Sequence, residues 1–383
     1  MKTVGIITTF RQPNFGSVLQ AFALQYIVER MGYDTKVIDY KYPNDFHWDA
    51  GLQFGRRKIT LRNRLGDLKR KIQLSLGLRK PTKMEMMNLF IKKEMKCTVF
   101  YPSRQSILDT PPLFDIYVSG SDQIWNPNTM FGDMTYMFDF APKDRMRIAY
   151  SSSFSCDKIP HKFIASYKEN LNSFKSIGVR ETNGVKLLKE NFGRNDAQLV
   201  LDPTLLLTKE EWHIFAQKSQ NLNVPKRYIL FYMLAYTYSP EEKMCELLNF
   251  VQQKYQLPIV SLSKKPEGFQ GEFVQIEDKC AVGNYEFLQL FERAEMVVTS
   301  SFHGTAYSLN FGKPLLALEN GKVRSDDRIS SLLNSVGLTS QLVFTDTLLT
   351  DEITPYYSKE REQVKLQELR EKSLAYLSNS LKD

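Results

Sequence analysis

The chain has 383 residues, of which 42% are hydrophobic and 12% aromatic, more apolar material than one core usually serves, so two domains are expected. No apolar run is long enough to span a bilayer, and residues 1–7 enter a strand with no cleavage site, so a cytoplasmic protein is expected. Four cysteines (Cys97, Cys156, Cys245, Cys280) lie far apart without a Cys-x-x-Cys pair. That spacing argues against a disulfide framework and a structural zinc site, and it predicts no metal and reduced, buried thiols.

The net charge of +8 is concentrated in one stretch. Residues 56–96 hold fourteen basic and three acidic side chains, a local charge of +11 that leaves the remainder at −3. Within it Ile59, Leu61, Leu65, Leu68, Ile72 and Leu74 recur at helical intervals. This predicts a basic amphipathic helical insertion, either a solvated face or a peripheral contact with an anionic membrane through 56–96. No zinc-finger, helix-turn-helix or RNP-like pattern accompanies the charge, so no nucleic acid is expected as a partner.

In chain order, residues 4–10 read as a buried strand, 11–17 as a turn, 18–31 as a nearly all-apolar helix closed by Gly32, and 35–40 as a second strand. The first loop of this β-α-β unit holds Asn14, Gly16 and Ser17. A glycine there lets a ligand approach the backbone, and Ser17 either caps the helix or meets a phosphate. The spacing is not G-x-G-x-x-G, so a dinucleotide is not indicated. A strand over 113–119 ends in Gly120-Ser121-Asp122-Gln123-Ile124-Trp125. A carboxylate, an amide and an indole at one strand end suit sugar hydroxyls with the ring stacked on Trp125, or else a turn in which Asp122 accepts backbone N–H bonds.

Strands over 147–151 and 176–180 flank a helix near 162–174, and Arg180 closes the second of them. Its planar fork suits a carboxylate or phosphate ligand, or a salt bridge with Glu181 or Asp202. Residues 198–201 lead to Asp202-Pro203-Thr204, where the proline fixes the exit turn. A second winding begins at 228–234, continues through a helix over 241–255, a strand over 258–263 and a helix over 285–293, and reaches Met296-Val297-Val298-Thr299-Ser300-Ser301-Phe302-His303-Gly304. That run reads as strand, tight turn and helix, and it sets His303 where the next helix offers free N–H groups, as either a functional group or a mere cap. A strand over 315–318, a helix over 326–336 and a charged helix over 359–381 complete the chain. The fold class is α/β, with two Rossmann-like domains facing a cleft, divided at about 1–205 and 206–350, followed by a C-terminal helix within 351–383.

With these residues placed, the chain resembles the polysaccharide pyruvyl transferase family. The resemblance is carried by Asn14-Phe15-Gly16-Ser17-Val18-Leu19-Gln20-Ala21, Ser119 to Trp125, Gly178-Val179-Arg180-Glu181, Leu201-Asp202-Pro203-Thr204 and Ser301-Phe302-His303-Gly304, in order across residues 1–337. It implies a GT-B-like pair of domains and transfer of a pyruvyl group from phosphoenolpyruvate to a sugar as a cyclic ketal. Phosphoenolpyruvate would be a substrate with no cofactor, and the acceptor a glycan or a lipid-linked sugar. By the same resemblance, the catalytic histidine falls on His303 and a donor-binding arginine on Arg180. One departure stands out: an arginine common two residues before that histidine is Ser301 here. The donor would then meet Ser301, Phe302, Gly304 and Thr305, with phosphate ligands supplied by Lys322, Arg324 or Arg328. The acceptor would meet Asn14, Gly16, Ser17, Asp122, Gln123 and Trp125.

Ketal formation needs a proton on the methylene carbon of the enol phosphate while positive charge develops at its neighbour. Imidazole as a class titrates in the range that lets it give and recover that proton, which assigns His303 as general acid. A GT-B-type glycosyltransferase using a nucleotide sugar and a non-catalytic glycan-binding protein are the alternatives. Against the first, the C-terminal half shows no obvious acidic pair for a ribose.

Overall fold

The structure is a computed structural model that describes residues 1–53, 56, 61–220, 222–235, 238–276, 281–321 and 326–382, with side chains omitted at 61–65 and 67. Its first sheet contains β1 (Thr3–Ile7), β2 (Asp34–Val37), β3 (Ile116–Ser119), β4 (Met146–Ser152), β5 (Ser176–Val179) and β6 (Gln198–Leu199), in the order β2-β1-β3-β4-β5-β6. The second contains β7 (Ile229–Tyr232), β8 (Ile259–Ser261), β9 (Phe273–Gln275), β10 (Met296–Thr299), β11 (Leu315–Glu319) and β12 (Leu342–Phe344), in the order β12-β11-β10-β7-β8-β9. Every strand pair is parallel. Parallel sheets are covered on both faces, which is why these strands read as apolar, β-branched runs. The architecture is α/β, with two Rossmann-like halves.

The longer helices are α1 (Phe15–Arg30), α2 (Leu61–Ser75), α3 (Lys83–Glu94), α4 (His161–Leu171), α5 (Thr182–Phe192), α6 (Lys209–Ala216), α7 (Glu241–Tyr255), α8 (Asn284–Arg293), α9 (Phe302–Asn310), α10 (Arg328–Val336) and α11 (Lys359–Leu381). Sequence reading leaves α5, α6, β9 and β12 unassigned. β9 and β12 are three-residue edge strands, too short to show a period, and they acquire their state from the neighbour they pair with. Strand ends also come earlier than expected. β1 stops at Ile7 because Thr8 and Thr9 turn toward the site, the Thr8 hydroxyl donating to Ser121 O at 2.6 Å.

One continuous core joins the halves. Phe15 at the start of α1 stacks on Phe287 of α8 at 4.9 Å, Phe22 meets Phe215, and Trp212 of α6 meets Tyr307 of α9 at 5.4 Å. Several buried polar groups in this seam are paired. Trp212 Nε1 donates to Thr204 O, Asn284 Nδ2 to Phe15 O, and Asn310 Nδ2 to Thr204 O and Leu207 O. Cys156 is buried, while Cys97 and Cys245 are only partly so; all three are free thiols, and Cys280 lies outside the described residues.

The charged helix α11 returns to the first half. Tyr376 hydroxyl donates to Ala149 O at 3.0 Å, and Ser373 Oγ accepts from Leu201 N at 3.0 Å. The buried Arg370 donates through Nε to Leu205 O at 2.7 Å and through Nη2 to Asn310 Oδ1 at 3.3 Å, so one guanidinium reaches both halves. Removing a buried charged donor leaves these acceptors unpaired. Arg370→Ala is therefore expected to lower stability by roughly 2–3 kcal/mol, seen as a lower urea midpoint with an unchanged slope.

Candidate functional site

The carboxyl ends of both sheets converge on one hollow. Its lining includes Asn14 from the loop after β1, Asp122 and Gln123 after β3, Ser300 to His303 after β10, Glu319 and Asn320 at the end of β11, and Asp326 and Arg328 before and within α10. The cavity measures about 170 Å³.

The deepest element is a buried charge cluster. Arg180 lies just beyond β5, and its guanidinium donates through Nη1 to Asp202 Oδ2 and through Nη2 to Asp122 Oδ1, both at 3.1 Å. The Phe302 ring covers the same guanidinium at 4.5 Å, a cation–π contact from the opposite sheet. Asp202 also accepts from Ser121 Oγ at 2.6 Å and from Thr204 N and Oγ1 at 3.0 and 2.7 Å. Asp122 accepts from Ser17 Oγ at 2.7 Å, Thr9 Oγ1 at 3.3 Å and Gln123 N at 2.9 Å. Burial opposes ionisation of Asp202, but the facing His303 imidazole, Arg180 and Ser121 outweigh it and hold the carboxyl well below the usual range. Asp122 is lowered in the same way: burial is overcome by Arg180, His303 and Ser17. Two carboxylates on one guanidinium leave an excess negative charge beside His303.

His303 is placed by the turn that precedes it. Ser301 has extended backbone and caps α9, its hydroxyl accepting from Gly304 N at 3.2 Å, so the helix starts at Phe302. The imidazole Nε2 stands 3.7 Å from Asp202 Oδ2, a charge contact longer than a hydrogen bond. On its other edge the ring lies against Gly16. A Cβ at Gly16 would stand 2.2 Å from both Cγ and Nδ1 of His303, so only glycine admits this approach.

Several expectations change in this light. Gly16 makes room for the His303 ring, not for a ligand against the backbone. Asn14 caps α1, accepting from Gly16 N and Ser17 N, while also lining the hollow. Ser17 is bound to Asp122. Trp125 does not present its ring to a sugar. It is fully buried between Phe154 and Phe174, because its flanking strand end folds into the first half's core. Gly304 and Thr305 are also inside: a Gly304 Cβ would meet Thr299 Oγ1 at 2.3 Å, and Thr305 Oγ1 donates to Ser301 O. Neither lines the hollow. Arg180 lies behind it, in the ion pair with Asp202 that the sequence left as one alternative, and Glu181 instead accepts from Phe154 N and Ser155 N. Lys322 and Arg324 lie outside the described residues. Arg328 does line the hollow, gripped by Asp326 through Nε and Nη2 at 2.7 and 2.5 Å. With its amide oxygen turned toward Arg328, Gln123 accepts from both terminal nitrogens at 2.8 and 2.9 Å.

Sequence reading missed Glu319 and Asp326, the acidic groups it did not find in the C-terminal half. Glu319 ends β11, where the strand-end rule would have found it. Burial, aided by Asp326 and Asp327, pushes its carboxyl up to about 7 against the hydrogen bond from Ser330 N. Asp202 is foreseen only as an alternative salt-bridge partner of Arg180; its contact with His303, 101 residues away, is not. The halves also meet just beyond the hollow, where Asn183 N donates to Asp327 Oδ2 and Thr182 N to Ser331 Oγ, both at 3.0 Å.

Comparison with known proteins completes the description of the site. No curated protein matches the chain. Among solved structures, it is similar to the UDP-GlcNAc 2-epimerase of Methanocaldococcus jannaschii, at 13% identity and a TM-score of 0.47, over 96% of this chain and 92% of that one. It is also similar to Arabidopsis thaliana UGT89C1, solved with quercetin, at 11% identity and a TM-score of 0.46, over 99% and 98% of the two chains. The family model described as polysaccharide pyruvyl transferase matches residues 14–322, which takes in the Asn14 loop, the Arg180 cluster and the His303 turn, and the chain belongs to that family.

Proposed function

We propose that the protein transfers a pyruvyl group from phosphoenolpyruvate to two hydroxyls of a sugar, forming a cyclic ketal and releasing phosphate. The observation that carries this reading is the imidazole of His303 set between the Asp202 carboxylate and the side-chain-free surface of Gly16, in a hollow fed by both sheets. The Asp202 carboxylate faces Nε2 at 3.7 Å, a charge partner for the protonated ring, which gives its proton to the donor's methylene carbon. The cation that forms at the neighbouring carbon is attacked by one sugar hydroxyl. Departure of phosphate regenerates a cation for the second hydroxyl. Of the two hydroxyl protons, one replaces that spent on the methyl group and the other leaves with phosphate, so protons balance over the reaction.

Roles divide by position. Arg180 acts as a positioning residue: its guanidinium is committed to Asp122 and Asp202, and it fixes the carboxylate that faces His303. Arg328, on the wall of the hollow, is the donor-facing cation, and Gln123, Glu319 and Asn320 are the groups that meet sugar hydroxyls. Glu319, with a carboxyl pushed up to about 7, accepts a hydroxyl proton near neutrality.

His303→Ala is expected to reduce phosphate release from phosphoenolpyruvate with an acceptor glycan by about 10²- to 10⁴-fold. Asp202→Asn, which keeps the shape and removes the charge, should reduce turnover by at least tenfold while leaving KM for the donor nearly unchanged. An unaltered rate in His303→Ala removes His303 from the chemistry. Stabilisation by a uridine or guanosine diphosphate sugar, with none by phosphoenolpyruvate, moves the assignment to glycosyl transfer.

Glu319 adds a dependence of stability on pH. Its folded-state value, about 7, lies above its ordinary 4.5, so as pH rises between those values the unfolded chain ionises first and stability falls. The buried Glu181 and Glu362 are pushed up to about 7 in the same direction. Glu319→Gln removes one share of that loss. Its Tm should gain on the wild type by an amount equivalent to roughly 1–3 kcal/mol between acidic and mildly alkaline buffer. A difference that stays constant with pH shows that Glu319 does not titrate in this window.

A further inference from the structure

We infer that α2 and the turn after it form a docking surface for an anionic lipid bilayer, lying on the membrane without crossing it. Most large apolar side chains of this protein are buried, but Leu68, Ile72, Leu76 and Leu78 are 56%, 50%, 66% and 71% exposed. Leu68, Ile72 and Leu76 follow one another at intervals of four, which places them along one side of the helix and its terminal turn. The helix therefore shows its apolar stripe to solvent, the reverse of a helix that packs on a core.

The charges flanking the stripe select the occupant. Lys69 and Lys71, both exposed, fall on its two sides at about 3.6 residues per turn. Within 56–96, two of the three acidic residues are already engaged, Glu85 with Arg79 and Glu94 with Lys218. The exposed Lys69 and Lys71 are the charges beside the stripe that anionic headgroups would meet. An apolar stripe between lysines suits acyl chains below and anionic headgroups alongside, because the long lysine stems reach the headgroup layer while the stripe is immersed. A second copy of this helix would bring like charges together. Among the described residues, no helix is long and apolar enough to cross a membrane, so the contact is peripheral.

The docked surface continues toward the hollow. The Lys83 ammonium, which opens α3, sits 4.0 Å over the Phe15 ring, and Phe15 adjoins the cavity-lining Asn14. Arg11 Nη1 donates to Asn88 Oδ1 of the same helix at 3.2 Å. Arg79 Nε donates to Arg70 O at 3.0 Å and its terminal nitrogens pair with Glu85, which ties α2 to the start of α3. The inference is independent of the proposed reaction, since it rests on the helix surface alone.

The test is co-sedimentation of the full chain with vesicles of phosphatidylcholine alone and of phosphatidylcholine mixed equally with phosphatidylglycerol, at low and high salt. Binding is expected only to the mixed vesicles and to fall sharply at high salt. Leu68→Ser/Ile72→Ser and Lys69→Glu/Lys71→Glu should each weaken it about tenfold or more, while both retain the wild-type melting temperature because all four side chains are exposed. Three results would overturn the proposal: no binding to mixed vesicles at low salt, equal binding by both double variants, or a dimer in sedimentation velocity that Leu68→Ser/Ile72→Ser dissolves.

Discussion

Arg180 is the point on which the site turns. A guanidinium without access to water is tolerable only where its charge is answered, and here Asp122 and Asp202 answer it from two different strand ends while Phe302 closes the remaining face. Each partner then positions something else. Asp122 holds Ser17 and with it the start of α1, and Asp202 faces His303 and bonds Thr204 at the turn into the second half. Taking away one member would leave a buried charge unpaired, so the arrangement is maintained as a unit. Asp122 also sits with φ at 79°, in the left-handed region that costs most residues about 1 kcal/mol. The bonds to Ser17, Arg180 and Gln123 N hold it there.

The two halves are not loosely hinged around this cluster. Phe15 on Phe287, Trp212 on Tyr307, and Arg370 reaching Leu205 and Asn310 make the seam a packed core crossed by hydrogen bonds. A rigid seam suits a site whose geometry depends on tenths of an ångström between Gly16 and the His303 ring. The same closeness explains the residue type at position 16 more strictly than any turn preference does, since even a methyl group would overlap the imidazole.

Much of the framework is visible in the chain itself. Apolar runs ending in small and polar residues mark the strand ends, and the rule that α/β sheets place function at carboxyl ends locates Asn14, Asp122, Gln123 and His303 on one hollow. What the sequence hides is which way each side chain turns. Trp125 follows a polar strand end, but its ring is drawn inward by Phe154 and Phe174, because a large apolar surface outweighs one indole N–H. Arg180 looks identical as a ligand or as half of a salt bridge until Asp202, 22 residues on, is seen to fold back onto it. Ser301 reads as a lost phosphate ligand, whereas in the fold it starts the helix that carries His303.

The charge of the hollow constrains how an anionic donor would enter. Its described lining offers Asp122, Glu319 and Asp326 against Arg328, and Arg328 already spends its Nε and one Nη on Asp326. A phosphate would have to share or displace that carboxylate. Asp326 is held below its ordinary range, burial being outweighed by Arg328, so it competes as a full anion. Guanidinium has a second pair of donors, and Gln123 occupies them as a neutral acceptor that leaves at small electrostatic cost. The economical entry for a phosphorylated acid is therefore on the Gln123 side of Arg328, with Asp326 left in place to hold the guanidinium plane. Under the proposed reaction, the donor would then lie on the face of Arg328 turned toward Gln123 and its neighbour Asp122, the carboxylate that shares Arg180 with Asp202, so Arg328 and the charge cluster facing His303 are linked through two adjacent residues.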